Sequence, residues 1–228
     1  MSKKTLLFAP VAFNLAETTR MLEIAKGVSQ HPQANQIFNI QFISDGGEFE
    51  ALIEAEGFPL KKMEPRLTPE KIQFIMKVDK GETFAPAFSQ SEIRARIENE
   101  VAYLQELKPA AVLTGSYLTI PVSCQIAQIP LVWAIQSTWL PEFFKHGAGM
   151  TDRIKWKPIK WLADGLVYLF INFWVRYGFL GPLNKAAKQF GVKTYRSIFD
   201  YWRGDVTLVA EPAEFTDIEL PPDYYYTG

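Results

Sequence analysis

Residues 5–30 read TLLFAPVAFNLAETTRMLEIAKGVSQ, and two periodicities meet inside that stretch. Residues 5–10 form a short, almost continuous apolar run, the form a β-strand takes when both of its faces are covered. From about residue 16 to residue 30 the spacing changes. Met21, Leu22, Ile24, Ala25 and Val28 recur at helical intervals and define one apolar face. Between the two, Asn14 with Glu17 three residues later resembles a capping box. A strand feeding a helix through a short loop opens a βαβ unit.

The same alternation continues outward. Residues 37–44 (IFNIQFIS) predict a second strand closed by Asp45-Gly46-Gly47, residues 48–56 a short helix ended by Gly57, and residues 59–63 a brief third strand. Thr68 before Pro69 marks a helix start, and Ser89 with Glu92 is a cleaner capping box. The helix it opens runs through Ile93, Ile97, Val101 and Leu104 and stops before Pro109. Residues 110–114 predict a fourth strand, 120–128 a helix and 130–135 a fifth strand. The rhythm breaks after Gln136 and resumes with strands at 204–210 and 224–227. The prediction is an α/β fold: a doubly wound, mostly parallel Rossmann-like sheet of about six or seven strands. One domain covers residues 1–228, with a helical, aromatic insertion over about 139–203.

Composition narrows the function classes. The 228 residues are 48% hydrophobic and 21% charged, enough apolar surface for a core. A net charge of -1 argues against nucleic acid as the main partner, which needs a Lys/Arg excess on one face. The single cysteine, Cys124, excludes an internal disulfide and a cysteine-based zinc site, and fits a reducing cytoplasm. Lys3 and Lys4 precede too short an apolar run for a signal peptide, so those residues read as the first strand.

In open α/β sheets ligands sit beyond the carboxyl ends of the strands. Those ends carry Asn14, Asp45, Gly46, Gly47, Thr114, Gly115, Ser116, Gln136, Ser137 and Thr138. Loop polarity and turn glycines account for such residues singly; as a set they suggest a site. Neither G-x-G-x-x-G nor a P-loop motif occurs, so no familiar phosphate cradle is offered. His31 is expected at a helix end as a cation meeting the dipole. His146, in a loop after the fifth strand, becomes a base only if that loop folds over the crevice. Two distant histidines make no metal site, and Cys124 reads as a buried small apolar residue.

The insertion contains RIKWKPIKWLADGLVYLFINFWVRYGF at residues 153–179. Its apolar stretch, residues 161–175, is about fifteen residues long and includes Asp164, against the roughly twenty a spanning helix needs. Three readings stay open. The aromatics pack the insertion onto the sheet; or they wall a pocket for an apolar acceptor; or Lys155, Trp156, Lys157, Lys160 and Trp161 contact a membrane surface, making the domain membrane-peripheral.

Several stretches, taken together, resemble the N-terminal, acceptor-binding domain of the UDP-glycosyltransferase superfamily, which has the GT-B fold. They are LLFAPVAFNLAETTRMLEIAKGV (6–28), FISDGGEFEALIEAEGFPLKKMEP (42–65), LKPAAVLTGSYLTIPVSCQIAQIPLVWAIQ (107–136), GPLNKAAKQFGVK (181–193) and RGDVTLVAEPAEFTDIELPPDYYYTG (203–228). The last is the most specific, because family members approach the domain hinge with such a strand, a Pro-rich turn and Tyr-Thr-Gly.

The resemblance implies a hexosyl transfer from a UDP-sugar to an apolar or lipid-like small molecule. The donor would be held by a C-terminal domain or subunit rather than by this chain, which alone would be inactive. It also implies acceptor contacts at Phe13, Asn14, Gly115, Ser116, Tyr117, Gln136, Ser137, Thr138, Trp139 and Phe143. Active family members carry Gly-His after the first strand, where the histidine deprotonates the acceptor. Here Phe13-Asn14 stands in that place, and a neutral amide cannot take a proton. The aspartate that partners that histidine is replaced by Gly115 or Ser116. Glu17 and Asp45 remain as substitute bases, with Glu17 also expected to cap its helix. Two other readings compete: a non-catalytic membrane-surface anchoring module, and a small-molecule binding protein of the same sheet class with no sugar connection.

Overall fold

The computed structural model describes residues 3–83, 85–141, 143, 151, 153–215 and 219–227. Seven strands form one sheet: β1 (Lys4–Ala9), β2 (Phe38–Ser44), β3 (Leu60–Lys62), β4 (Ala111–Thr114), β5 (Leu131–Ile135), β6 (Val206–Val209) and β7 (Tyr224–Tyr226). Every pairing is parallel, in the order β3-β2-β1-β4-β5-β6-β7. The chain winds outward in one direction from β1 to β3 and then returns to lay β4 on the other side of β1. The β1/β4 boundary is therefore the topological switch point, where Ala9 pairs with Thr114.

Strand alternation divides the core into two layers. Leu7 and Ala9 of β1, Val112 of β4, and Trp133 and Ile135 of β5 face one layer. That layer is closed by Ile93, Ile97 and Leu104 of α5 (Gln90–Leu107) and by Ile120 and Val122 of α6 (Ile120–Ala127). Phe8, Phe42, Leu113 and Ala134 face the other, against Met21, Leu22 and Ala25 of α1 (Leu15–Gln30) and Ile53 of α3 (Glu50–Ala55). Phe8 and Phe42, neighbours across the β1–β2 register, stack with centroids 5.1 Å apart. Each such fully buried side chain stabilises by about 1.5–3 kcal/mol, which is why both strand faces read as apolar.

The predicted caps form. Thr68 accepts from the Lys71 N–H at the start of α4 (Pro69–Asp79), and both halves of the Ser89–Glu92 capping box are present. Between α1 and β2 lies α2 (Pro32–Ile37), which the strand prediction from residue 37 missed. Pro32 at its first position, following His31, is the signal that was available. His31 sits between α1 and α2. Its Nδ1 accepts from the Ala34 N–H at 3.3 Å, so the ring caps the next helix as an acceptor.

Most of the described insertion is helical. A continuous run, residues 157–189, comprises α7 (Lys157–Trp174), a π-helical turn (Val175–Phe179) and α8 (Leu180–Gln189). The short α9 (Ile198–Tyr201) precedes β6. Leu180, Leu183, Ala186 and Ala187 are fully buried, and Tyr201 sits edge-on to Trp133 at 5.4 Å. That part of the insertion packs onto the sheet. Most of α7 does not.

Candidate functional site

The loops beyond β1, β2 and β4 are held against one another. Gly47 lies so close to the β1 loop that a Cβ there would stand 2.2 Å from the carbonyl of Ala12. That approach lets the Phe49 N–H donate to the Ala12 oxygen at 2.9 Å. The β1 loop then turns at Asn14, whose side chain accepts from the Glu17 N–H at 3.2 Å and caps α1. Asn14 is exposed and Phe13 half-buried at this rim.

Glu17 does something its capping expectation does not describe. Its carboxylate turns away from the cap and crosses the switch point. One oxygen accepts from the Val11 N–H at 3.0 Å and the Ser116 N–H at 2.9 Å, and the other accepts from the Ser116 hydroxyl. Residues 17 and 116 therefore join the β1 and β4 tops. Gly115 makes room for this: a Cβ would come within 3.0 Å of the Glu17 side chain. Burial raises the Glu17 carboxyl above its ordinary value, against the lowering effect of these hydrogen bonds and of Arg20. Ser116 stays half-exposed while its hydroxyl bonds the buried Glu17 carboxylate.

Asp45, the other substitute base considered, is committed elsewhere. It is buried against the guanidinium of Arg96 from α5, and burial pushes its carboxyl up to about 6 while Arg96 opposes the shift. Nearby Glu100 accepts from the hydroxyls of Thr119 and Ser123, and burial pushes it up to about 8. These groups lie beneath the loops, where an aspartate in an ion pair supports the β2 turn. Tyr117 is likewise drawn inward, only 2% exposed, its N–H bonded to the Thr114 hydroxyl at 3.2 Å. In this arrangement it belongs to the core and not to the crevice surface.

Beyond β5, Gln136 is half-buried, and a 3-10 turn (Ser137–Trp139) brings the Ser137 N–H to Glu211 above β6 at 3.3 Å. Thr138 is exposed, Trp139 stacks on Trp202 at 4.5 Å, and Phe143 is 38% exposed. Two residues absent from the expected set belong here. Arg20 is half-buried one turn after Glu17 and interacts favourably with both Glu17 and Glu211. The three-residue spacing from Glu17 on one helix face was the available signal for Arg20; nothing local announced Glu211.

No protein-family model and no curated protein sequence matches the chain. Solved structures do. The spinosyn forosaminyltransferase SpnP superposes with a TM-score of 0.59 at 12% identity over 99% of this chain and 50% of that one. SsfS6, a glycosyltransferase of Streptomyces sp. SF2575, gives 0.53 at 12% identity over 97% and 53%. The spinosyn rhamnosyltransferase SpnG gives 0.53 at 11% over 96% and 48%. The fold is that of GT-B glycosyltransferases. At these identities the likeness is one of fold, and the chain spans about half the length of the glycosyltransferases it matches.

Seen in a GT-B frame, Asn14, Glu17, Gly115, Ser116, Gln136, Ser137 and Thr138 all lie at the strand tops, while Asp45 and Tyr117 turn below them. His146 lies outside the described residues. Among the described residues no cluster of three or more His, Cys, Asp or Glu could hold a metal ion. Cys124 is buried, and burial pushes its thiol well up. A depression of about 520 Å³ bordered by Gln128, Lys193, Arg203 and Asp205 lies beside the amino ends of β5 and β6, the opposite edge of the sheet from the GT-B crevice. In the insertion, Lys155, Trp156, Lys157 and Trp161 are exposed, whereas Lys160 turns inward to Thr151 at 2.9 Å and Asp164 at 3.7 Å.

Proposed function

We propose that the chain is the acceptor-binding half of a nucleotide-sugar-dependent glycosyltransferase. It would receive a hexosyl group from a UDP-sugar onto a hydroxyl of an apolar or lipid-like acceptor. A donor-binding half, in the same or a separate polypeptide, closes over the strand tops. The observation that carries this reading is the Glu17 carboxylate at the switch point, bonded to the hydroxyl of half-exposed Ser116, on a fold shared with glycosyltransferases.

Transfer forms a bond from the acceptor oxygen to the anomeric carbon of the sugar, breaks the bond from that carbon to the diphosphate, and frees the acceptor proton. Asn14 occupies the place where the family resemblance implies a histidine, and its amide orients a hydroxyl without deprotonating it. Glu17 and Ser116 supply the missing base. The acceptor hydroxyl hydrogen-bonds to Ser116 Oγ, and as Ser116 takes that proton its own moves to Glu17. Burial raises the proton affinity of the Glu17 carboxyl above that of an ordinary glutamate, which favours its acting as a base. Arg20 balances the Glu17 charge in the ground state. Half-exposed Phe13 and the turn at Ser137–Trp139 flank the crevice and would receive the apolar part of the acceptor.

The experiment joins the chain to, or mixes it with, a donor-binding half and follows label from a UDP-sugar into apolar alcohols. Transfer is expected only when both halves are present. Ser116→Ala and Glu17→Gln should each lower kcat by about 10²–10⁴-fold, the range of general-base contributions, with a smaller change in KM. Full activity in both variants removes the dyad from the mechanism. Failure to restore any transfer across donors and acceptors favours a binding protein without sugar chemistry.

A further inference from the structure

Helix α7 is built inside out for a helix on a water-facing surface. Its polar residue Asp164 points inward, pairing with Lys160 and accepting from buried Thr151. Its outer side carries Ile159, Leu162, Leu166, Leu169 and Phe173, continued in the π-helical turn by Tyr177, exposed by 45%, 58%, 60%, 65%, 66% and 63%. Steps of three and four residues keep these side chains within roughly 100° of arc at 3.6 residues per turn. A contiguous apolar stripe of that kind marks an interaction surface and not the ordinary scatter of exposed apolar residues.

Charge identifies the occupant. Residues 153–179 carry five basic residues against Asp164 alone, while the whole chain has a net charge of -1. Lys155 and Lys157 are exposed at the amino end of the stripe, beside Trp156 at 66% and Trp161 at 78% exposure. Exposed Arg176 stands at its other end. A second copy laid along the stripe, in either direction, would bring these cations against one another, since the one acid is turned inward. An anionic surface meets them favourably, with indole rings at the level where water gives way to hydrocarbon.

We infer that the outer face of α7 lies on an anionic phospholipid membrane, immersed to the depth of its apolar side chains, with Lys155, Lys157 and Arg176 at the headgroups. The run Lys157–Gln189 is long and apolar enough to cross a membrane by length and composition. Its second part is held in the domain, however, where Leu180, Leu183, Ala186 and Ala187 are fully buried. The helix therefore rests on the bilayer instead of leaving the protein to span it. The inference stands apart from the transferase reading, because its readout is vesicle binding.

The test is flotation of the purified chain with phosphatidylcholine vesicles containing or lacking phosphatidylglycerol. The chain should float with the anionic vesicles, far less with the neutral ones, and be released by high salt. Leu166→Glu combined with Leu169→Glu should abolish flotation. Lys155→Gln combined with Lys157→Gln should weaken binding by roughly thirtyfold. All four side chains are exposed, so circular dichroism should report an unchanged fold. Three results would overturn the inference: no flotation with either vesicle, a dimer in sedimentation that Leu166→Glu dissociates, or binding that survives alkaline carbonate extraction as a spanning helix does.

Discussion

Replacing Gly47 by alanine adds a Cβ atom 2.2 Å from both the carbonyl carbon and oxygen of Ala12 and 2.3 Å from the Phe13 nitrogen. All three are backbone atoms, so no side-chain rotation relieves the contact. The backbone at Gly47 also has φ +142, where an L side chain is strained. Strain of that kind costs about 1–3 kcal/mol, and forcing a methyl into a filled space about 1–3 kcal/mol more. The sum, roughly 2–6 kcal/mol, corresponds to a fall in melting temperature of about 4–24 °C at the 2–4 °C per kcal/mol typical of this chain length. The loss falls on the link that sets the β1 loop, the Phe49 N–H to Ala12 oxygen bond, and so on the positions of Asn14 and Glu17. Thermal unfolding by circular dichroism measures it, with Gly27→Ala as the control. Gly27 lies within α1 with nothing within 4 Å of its would-be Cβ, so that variant should gain up to about 1 kcal/mol from helix propensity. If both alanine variants melt within about a degree of the parent, the close approach of the two loops is not as described.

Glu100 links stability to pH. Its carboxyl holds a proton up to about 8 in the fold but releases it near its ordinary value of 4.5 when unfolded. The native state thus binds more protons between those values, and stability should fall as pH rises from about 4.5 to 8. Asp45, raised from 3.8 to about 6, adds a slope of the same sign at lower pH. Glu100→Gln should therefore flatten urea-unfolding free energies between about pH 6 and 8 and leave a shallower slope, that of Asp45, below about pH 6; an unchanged profile refutes the assignment. Asn14→Ala should cost about 1 kcal/mol through loss of the α1 cap, while Asn14→Asp should cost nearly nothing, both read from thermal midpoints.

Much of the fold was legible along the chain. Apolar runs long enough for one strand, separated by helical spacing with caps at Thr68 and Ser89, led to a parallel doubly wound sheet, because two-sided burial writes itself into every strand residue. The strand tops were legible for the same reason: once β1, β4 and β5 are placed, Asn14, Gly115, Ser116 and Ser137 follow at their ends. Less legible was α2, six residues whose composition carries no apolar face. Glu17 was read both as a cap and as a substitute base; that its carboxylate bonds Ser116 and not its own cap was hidden, since a glutamate three residues after a cap residue fits a local partner equally well.

Local spacing determined which residues sit on which face of each strand and helix, and with that the class of the fold. Tertiary structure alone decided what those faces meet. Glu17 bonds Ser116 across 99 residues of chain, and Arg96 meets Asp45 across 51, pairings that no periodicity encodes because they depend on strand order. The apolar side of α7 is the sharpest case. Periodicity marks a helix as having two unlike sides. Which side turns to the core depends on what else the core offers, and here Thr151 and Lys160 draw Asp164 inward and leave the leucines facing out.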